Sequence, residues 1–137
     1  MYELSINKRY KAPVERVFAV WSSVDQVKRW FAPGDMTVPD AHVDFRVGGT
    51  YRIVMQEPDG SQHIVGGVYR EIVPNQRLCF TWRWEDSEVT TEVEINFSAD
   101  GEHTDFGMTH RQFVTAEARD RHTQGWEACL TKLLKAV

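Results

Sequence analysis

The chain is poor in every feature that would name a chemistry outright. It has 2 cysteines in 137 residues, Cys79 and Cys129. They form neither a CxxC pair nor the cysteine-dense framework of a small secreted domain, so both read as reduced core residues of a cytoplasmic protein. The five histidines, His42, His63, His103, His110 and His122, make no HxxxH, HExxH or Cys/His cluster, and no metal or other cofactor is expected. No GxSxG occurs, and neither cysteine has a context that would activate it as a nucleophile. The N-terminal residues carry no apolar core of a signal peptide, and no apolar run approaches the ~20 residues of a membrane span. Positive charge is also scarce: Lys and Arg number 16 against 20 Asp and Glu, and the pI is near 5.7. The basic residues are scattered, which argues against a nucleic-acid footprint or a polybasic membrane patch.

Aromatic residues are plentiful, 12% of the chain with five tryptophans. The length suits one domain, 1–137, large enough to bury a core without staples. Glu3 to Lys11 alternates around Leu4, Ile6 and Tyr10 and reads as an opening strand. Pro13 suits the first turn of a helix carrying Val14, Val17, Phe18 and Trp21. Ser23 or Asp25 can cap a second short helix with Val24, Val27 and Trp30, ended by Pro33-Gly34. A loop is expected to Asp40.

Strands and turns follow. Val43, Phe45 and Val47 alternate with Asp44 and Arg46, and Gly48-Gly49 marks a hairpin or a bulge. Tyr51, Ile53 and Met55 continue to the Asp59-Gly60 turn. His63 to Val73 is the next strand, in which Gly66-Gly67 marks a bulge and leaves the faces of Tyr69 and Arg70 unassigned. Pro74-Asn75 turns the chain into Leu78, Phe80, Trp82 and Trp84. Val89 to Phe97 shows the cleanest period of two, its apolar face opposed by Glu88, Glu92 and Glu94. After Asp100-Gly101, Phe106, Met108 and His110 share a face. A last helix, about Thr115 to Val137, carries Ala118, His122, Trp126, Cys129, Leu130, Leu133, Leu134 and Val137 as one stripe. Gly125 lowers helix propensity by about 1 kcal/mol against Ala and suggests close approach of a strand, a ligand or Trp126.

The fold class is therefore α+β: a curved antiparallel sheet of about seven strands wrapped around a long C-terminal helix, with two short helices after the first strand. Such a sheet leaves a hollow under the helix, and the function is sought there. Trp30, Tyr51, Trp82, Trp84 and Trp126 are either cavity lining or core. His110 and His122 are either polar handles for a ligand, with His110 as the one acid/base candidate, or hydrogen-bonded core histidines. Asp44 and Arg46 are either a charged mouth or an ordinary surface ion pair.

Five segments together carry a resemblance. They are Arg9 to Phe18 running on through Trp21 to Trp30; Asp44 to Tyr51; Gly67 to Pro74 running into Arg77 to Trp82; Thr104 to His110; and His122 to Trp126 with the leucines after it. In this order and spacing the chain resembles the single-domain relatives of the C-terminal domain of the heat-shock protein 90 ATPase activator, in the START-like, helix-grip superfamily. The resemblance implies a pocket between sheet and C-terminal helix. A non-enzymatic domain would bind a small apolar or amphipathic ligand there, through Trp30, Phe45, Tyr51, Trp82, Phe106, Met108, His110, His122 and Trp126. It also implies two alternatives: a stress-response module with a chaperone partner, or a cyclase or hydrolase using the same cavity. It leaves open whether the chain is a monomer or a homodimer.

Overall fold

A computed structural model describes residues 1–137. β1 (Tyr2–Tyr10) leads into α1 (Val14–Ala19) and α2 (Val24–Val27). Six strands follow: β2 (Thr37–Val43), β3 (Thr50–Gln56), β4 (Gln62–Val73), β5 (Arg77–Trp84), β6 (Thr91–Asp100) and β7 (His103–Phe113); α3 (Ala116–Ala136) closes the chain. The strands form one antiparallel sheet in the order β1-β7-β6-β5-β4-β3-β2. Strands β2 to β7 are a simple meander, and the two short helices carry the chain from β1 on one edge to β2 on the other.

Local chemistry explains the joints. Pro13 is the residue before α1, extended at φ −66° and ψ 152°, and so stands one position earlier than expected. Ser23 caps α2 and Thr115 caps α3, each accepting a backbone N–H in the first turn. Between β4 and β5, Pro74 precedes Asn75 at φ 64°, and Gln76 N–H closes the turn on Val73 O. Gln112 is the other non-glycine residue at positive φ, 77°. It lies where the β1–β7 register slips, between the Leu4–His110 and Tyr2–Phe113 pairs, and it turns Phe113 into the interior.

Two expected boundaries differ. The strand anticipated over Val43 to Val47 is Thr37–Val43 instead, beginning within the segment expected as a loop to Asp40. Residues 44–49 form a turn in which Gly48 has φ 84° and a side chain on Gly49 would strike Asp44 O. β6 begins at Thr91 and leaves Val89 exposed. The irregularity expected at Gly66-Gly67 lies farther on, between Tyr69 and Glu71. The glycines serve close approach instead: a Cβ on Gly67 would sit 2.0 Å from Thr81 O, and one on Gly66 2.8 Å from Tyr51 O. Tyr51 pairs with Gly67 and reaches across that bare position, and its hydroxyl donates to Thr81 O at 2.5 Å. Tyr69 points inward and is buried, whereas Arg70 is exposed.

The inner face buries Leu78, Phe80, Val93, Ile95, Phe97, Phe106 and Met108. The outer face carries an ion-pair network of Arg77 with Glu71 and Glu94, and of Arg111 with Glu92 and Glu94. α3 lies over β1 and β7 on the inner side. Tyr10 Oη donates to Leu130 O, Lys8 Nζ meets Glu127 at 2.7 Å, and Lys132 Nζ donates to Ala32 O. The buried helix stripe is Trp126, Cys129, Leu130, Leu133 and Ala136. Leu134, expected in that stripe, is 46% exposed, because it is rotated about 100° from Leu133 along a 3.6-residue turn.

Truncating Leu133, which is fully buried, is expected to lower unfolding stability by about 2–5 kcal/mol as Leu133→Ala. Leu134→Ala is expected to stay within about 0.5 kcal/mol of the parent. Urea denaturation followed by far-ultraviolet circular dichroism distinguishes the two.

Candidate functional site

A cleft of about 1070 Å³ opens between the N-terminal half of α3 and the inner sheet face, at one end of the strands. β5 supplies Trp82 and Trp84, the last inward-facing positions of that strand, and α3 supplies His122, Gly125 and Trp126. Phe31 and Met36 come from the connection between α2 and β2, Met55 from β3, Ile64 from β4 and Phe113 from the end of β7. The rim is polar and includes Glu85, Asp86, Ser87 and Arg121. A Cβ on Gly125 would meet nothing within 4 Å, so this glycine keeps space open and is not pressed by a strand.

The polar atoms of the aromatic wall bond to one another, except Trp82 Nε1, which is buried without a partner. Trp126 Nε1 donates to His110 Nδ1 at 3.0 Å, which leaves the ring proton on Nε2. His110 Nε2 then donates to Thr91 Oγ1 at 2.7 Å, and Thr91 Oγ1 donates to Trp82 O at 3.2 Å. In parallel, Trp84 Nε1 donates to His122 Nε2 at 2.9 Å, and His122 Nδ1 donates to Ala118 O at 2.7 Å. Both histidines are held neutral. Burial pushes His110 down to about 2, with His122 nearby adding to the effect. Burial is also the largest cause of the lowering at His122. With both ring nitrogens committed, His110 has no free lone pair or proton to offer a substrate.

Of the residues singled out from the sequence, Trp82, His122 and Trp126 stand together in the cleft wall, with Trp84 beside them. The others lie in the core or, in the case of Phe45, half-buried against it. His110 is completely buried behind Trp126. Trp30 packs edge-on to Trp21 and donates to Val20 O. Tyr51 is tied to Thr81, and Phe45 packs on Phe18 and Tyr69 away from the cleft. Phe106 contacts Tyr10, Trp21 and Phe97, and Met108 is 2% exposed. Tyr51, Phe106, Met108 and His110 share the inward face of their strands, but packed neighbours cover them. Phe31, Met55 and Phe113 were not anticipated in the wall, since nothing in a strand pattern separates a side chain that meets a helix from one that meets a cleft. The Asp44–Arg46 pair is an exposed ion pair at 2.9 Å, remote from the cleft lining.

Both cysteines are buried and free. Cys129 Sγ donates to Phe31 O, and burial pushes its thiol up to about 12. Cys79 lies beneath the outer ion-pair network, and burial pushes it up to about 11. No three His, Cys, Asp or Glu side chains converge as a metal site would require. No helix is long and apolar enough to cross a membrane.

A family model described as activator of Hsp90 ATPase homolog 1-like protein matches residues 11–137. No curated protein matches the chain in sequence. Among solved structures, a protein of Chromobacterium violaceum is 23% identical, with a TM-score of 0.91 over 100% of this chain and 98% of its own. An AHSA1 protein of Silicibacter pomeroyi is 26% identical, with a TM-score of 0.89 over 98% of this chain and 96% of its own. An AHSA1-like protein of Aeromonas hydrophila is 22% identical, with a TM-score of 0.81 over 99% of this chain and 92% of its own. These likenesses match the α+β helix-grip architecture described above.

Because the folded state holds His110 neutral, the unfolded chain binds a proton that the native state refuses. Stability is therefore full above the ordinary histidine pKa near 6.5. It is lost as pH falls from there toward 2, at about 1.4 kcal/mol per pH unit for this one group. Imidazole nitrogen NMR is expected to show His110 protonated on Nε2 only and untitrated from pH 8 to 5. Neither thiol is expected to react with a maleimide in the native state on the timescale of a free cysteine. Mass spectrometry of labelled protein checks this.

Proposed function

The chain belongs to the activator of Hsp90 ATPase homolog 1-like family, and from that premise we propose that it is a non-enzymatic START-like binding domain. It holds a small apolar or amphipathic molecule between α3 and the sheet. The observation that carries the reading is the cleft itself: about 1070 Å³, walled by Trp82, Trp84, Trp126, Phe31 and Phe113 beside the side-chain-free position Gly125. Ligand sites of this size are usually concave, mostly apolar and finished by a few polar groups at one end, which is the composition found here.

Two alternatives are weaker. A cyclase or hydrolase in this cavity needs an acid/base group, and His110, the one histidine proposed for that role, has both nitrogens engaged and is sealed from the cleft. A chaperone-associated module is supported by the family description alone, whereas a wide cleft with an aromatic wall favours a small-molecule ligand.

Native mass spectrometry of freshly purified protein is expected to show a co-purified small molecule. Gly125→Leu is expected to abolish that adduct without unfolding the sheet, because the new side chain would enter the cleft. Trp126→Ala is expected to reduce quenching of tryptophan fluorescence by an apolar ligand, and also to destabilise the fold by about 3–5 kcal/mol, since the residue is 3% exposed. An unchanged mass spectrum and an unchanged melting temperature across a broad apolar ligand set would sink the binding reading.

A further inference from the structure

The hydrogen-bond inventory of the wall narrows what the polar end of a ligand can be. Trp84 and Trp126 have committed their N–H groups to His122 and His110. Both histidines use both nitrogens, and Thr91 donates to Trp82 O. Trp82 Nε1 has no partner, but it is sealed within the protein. The deep wall therefore presents ring faces and no exposed donor. A carboxylate, phosphate or carbonyl head buried there would lose its hydrogen bonds to water and find none in return. An organic cation is different: it is attracted to the negative faces of aromatic rings, most strongly to indole, and a quaternary ammonium has no hydrogen bond to lose.

The charge at the mouth points the same way. The loop between β5 and β6 carries Glu85, Asp86 and Glu88, and of these only Glu85 has an ion-pair partner, Arg52. Among the positive groups here, Arg121 faces Glu117 at 3.4 Å, and Arg83 donates to Ser87 O within the loop. The three acidic groups of the loop outnumber the two arginines bonded to it, Arg52 and Arg83, so the loop keeps a net negative charge. Trp84, half-buried, stands directly before this loop, and it packs edge to face with the buried Trp82 at 87° with centroids 5.5 Å apart, so that Trp84 is the ring of the pair that reaches the opening.

We propose, resting on the binding reading above, that the cleft selects an organic cation: an ammonium head held on the partly exposed ring of Trp84, next to the acidic loop that carries Asp86, with its apolar part against Trp126. Two independent features converge here, an aromatic wall with no exposed donor and an acidic lip.

The test uses the full chain and three amphiphiles of equal length, octyltrimethylammonium, octanol and octanoate, titrated calorimetrically at low salt below their micellar concentrations. Octyltrimethylammonium is expected to bind about tenfold more tightly than either of the others. Its advantage should shrink as salt is raised. Asp86→Asn, a change on an exposed loop, should weaken the cation by about threefold and leave octanol unchanged. Octanol or octanoate binding as tightly as the cation would overturn the charge selectivity and leave the cavity reading standing. A cation preference untouched by Asp86→Asn would overturn the placement of the head. Failure of all three to bind would overturn both readings together.

Discussion

One buried chain of hydrogen bonds ties four elements together at the base of the cleft. It runs from Trp126 on α3 to His110 on β7, then to Thr91 at the start of β6, and ends on the carbonyl of Trp82 in β5. Each group has only one way to take part. An indole can only donate, so His110 Nδ1 must accept; His110 Nε2 must then donate, and the threonine proton is left to reach the carbonyl. In a dry interior an unmade bond in this chain would cost on the order of 1–3 kcal/mol. The chain thus fixes the depth and rotation of α3 on the sheet where hydrophobic contact alone would tolerate sliding.

That constraint shapes the chemistry of the site. The histidine that looked most suited to proton transfer serves as a structural acceptor and donor, held neutral by burial. The second histidine fixes the indole of Trp84. Because the polar atoms of the wall are paired with one another or, for Trp82 Nε1, buried, the cleft is left with aromatic faces inside and charge only at its rim. The proposed binding role rests on that apolar area and those ring faces.

The sheet makes room for this arrangement at Gly67. On the inner face Tyr51, Gly67 and Trp82 lie on neighbouring strands, and the missing side chain lets the tyrosine cross to Thr81. The Thr81 carbonyl is satisfied by a hydroxyl, and the Thr81 hydroxyl accepts Val68 N–H at 2.8 Å. Side chains therefore replace main-chain partners locally, and the ladder resumes on either side. The pair of glycines in β4 was readable as a disturbance, but its purpose depends on a tyrosine two strands' length of sequence away.

The element order, the antiparallel sheet and the closing helix were legible because they rest on local periodicity: alternation puts Val93, Ile95 and Phe97 on one face, and 3.6-residue spacing puts Trp126, Leu130 and Leu133 on one stripe. Turn residues such as Pro74-Asn75 and Gly48 were legible for the same reason, since backbone preference is a property of a few neighbouring residues. The strand at Thr37–Val43 was not, because Pro39 and the polar residues around it leave no clear alternation on an edge strand. The cleft was only half legible. Periodicity tells which face of a strand is buried, and Trp82, Phe106, Met108 and His110 all qualify. Which of them meets a helix and which meets open space depends on where α1, α2 and α3 come to rest, and that is decided by contacts between residues far apart in the chain, Trp126 with His110 and Cys129 with Phe31 among them.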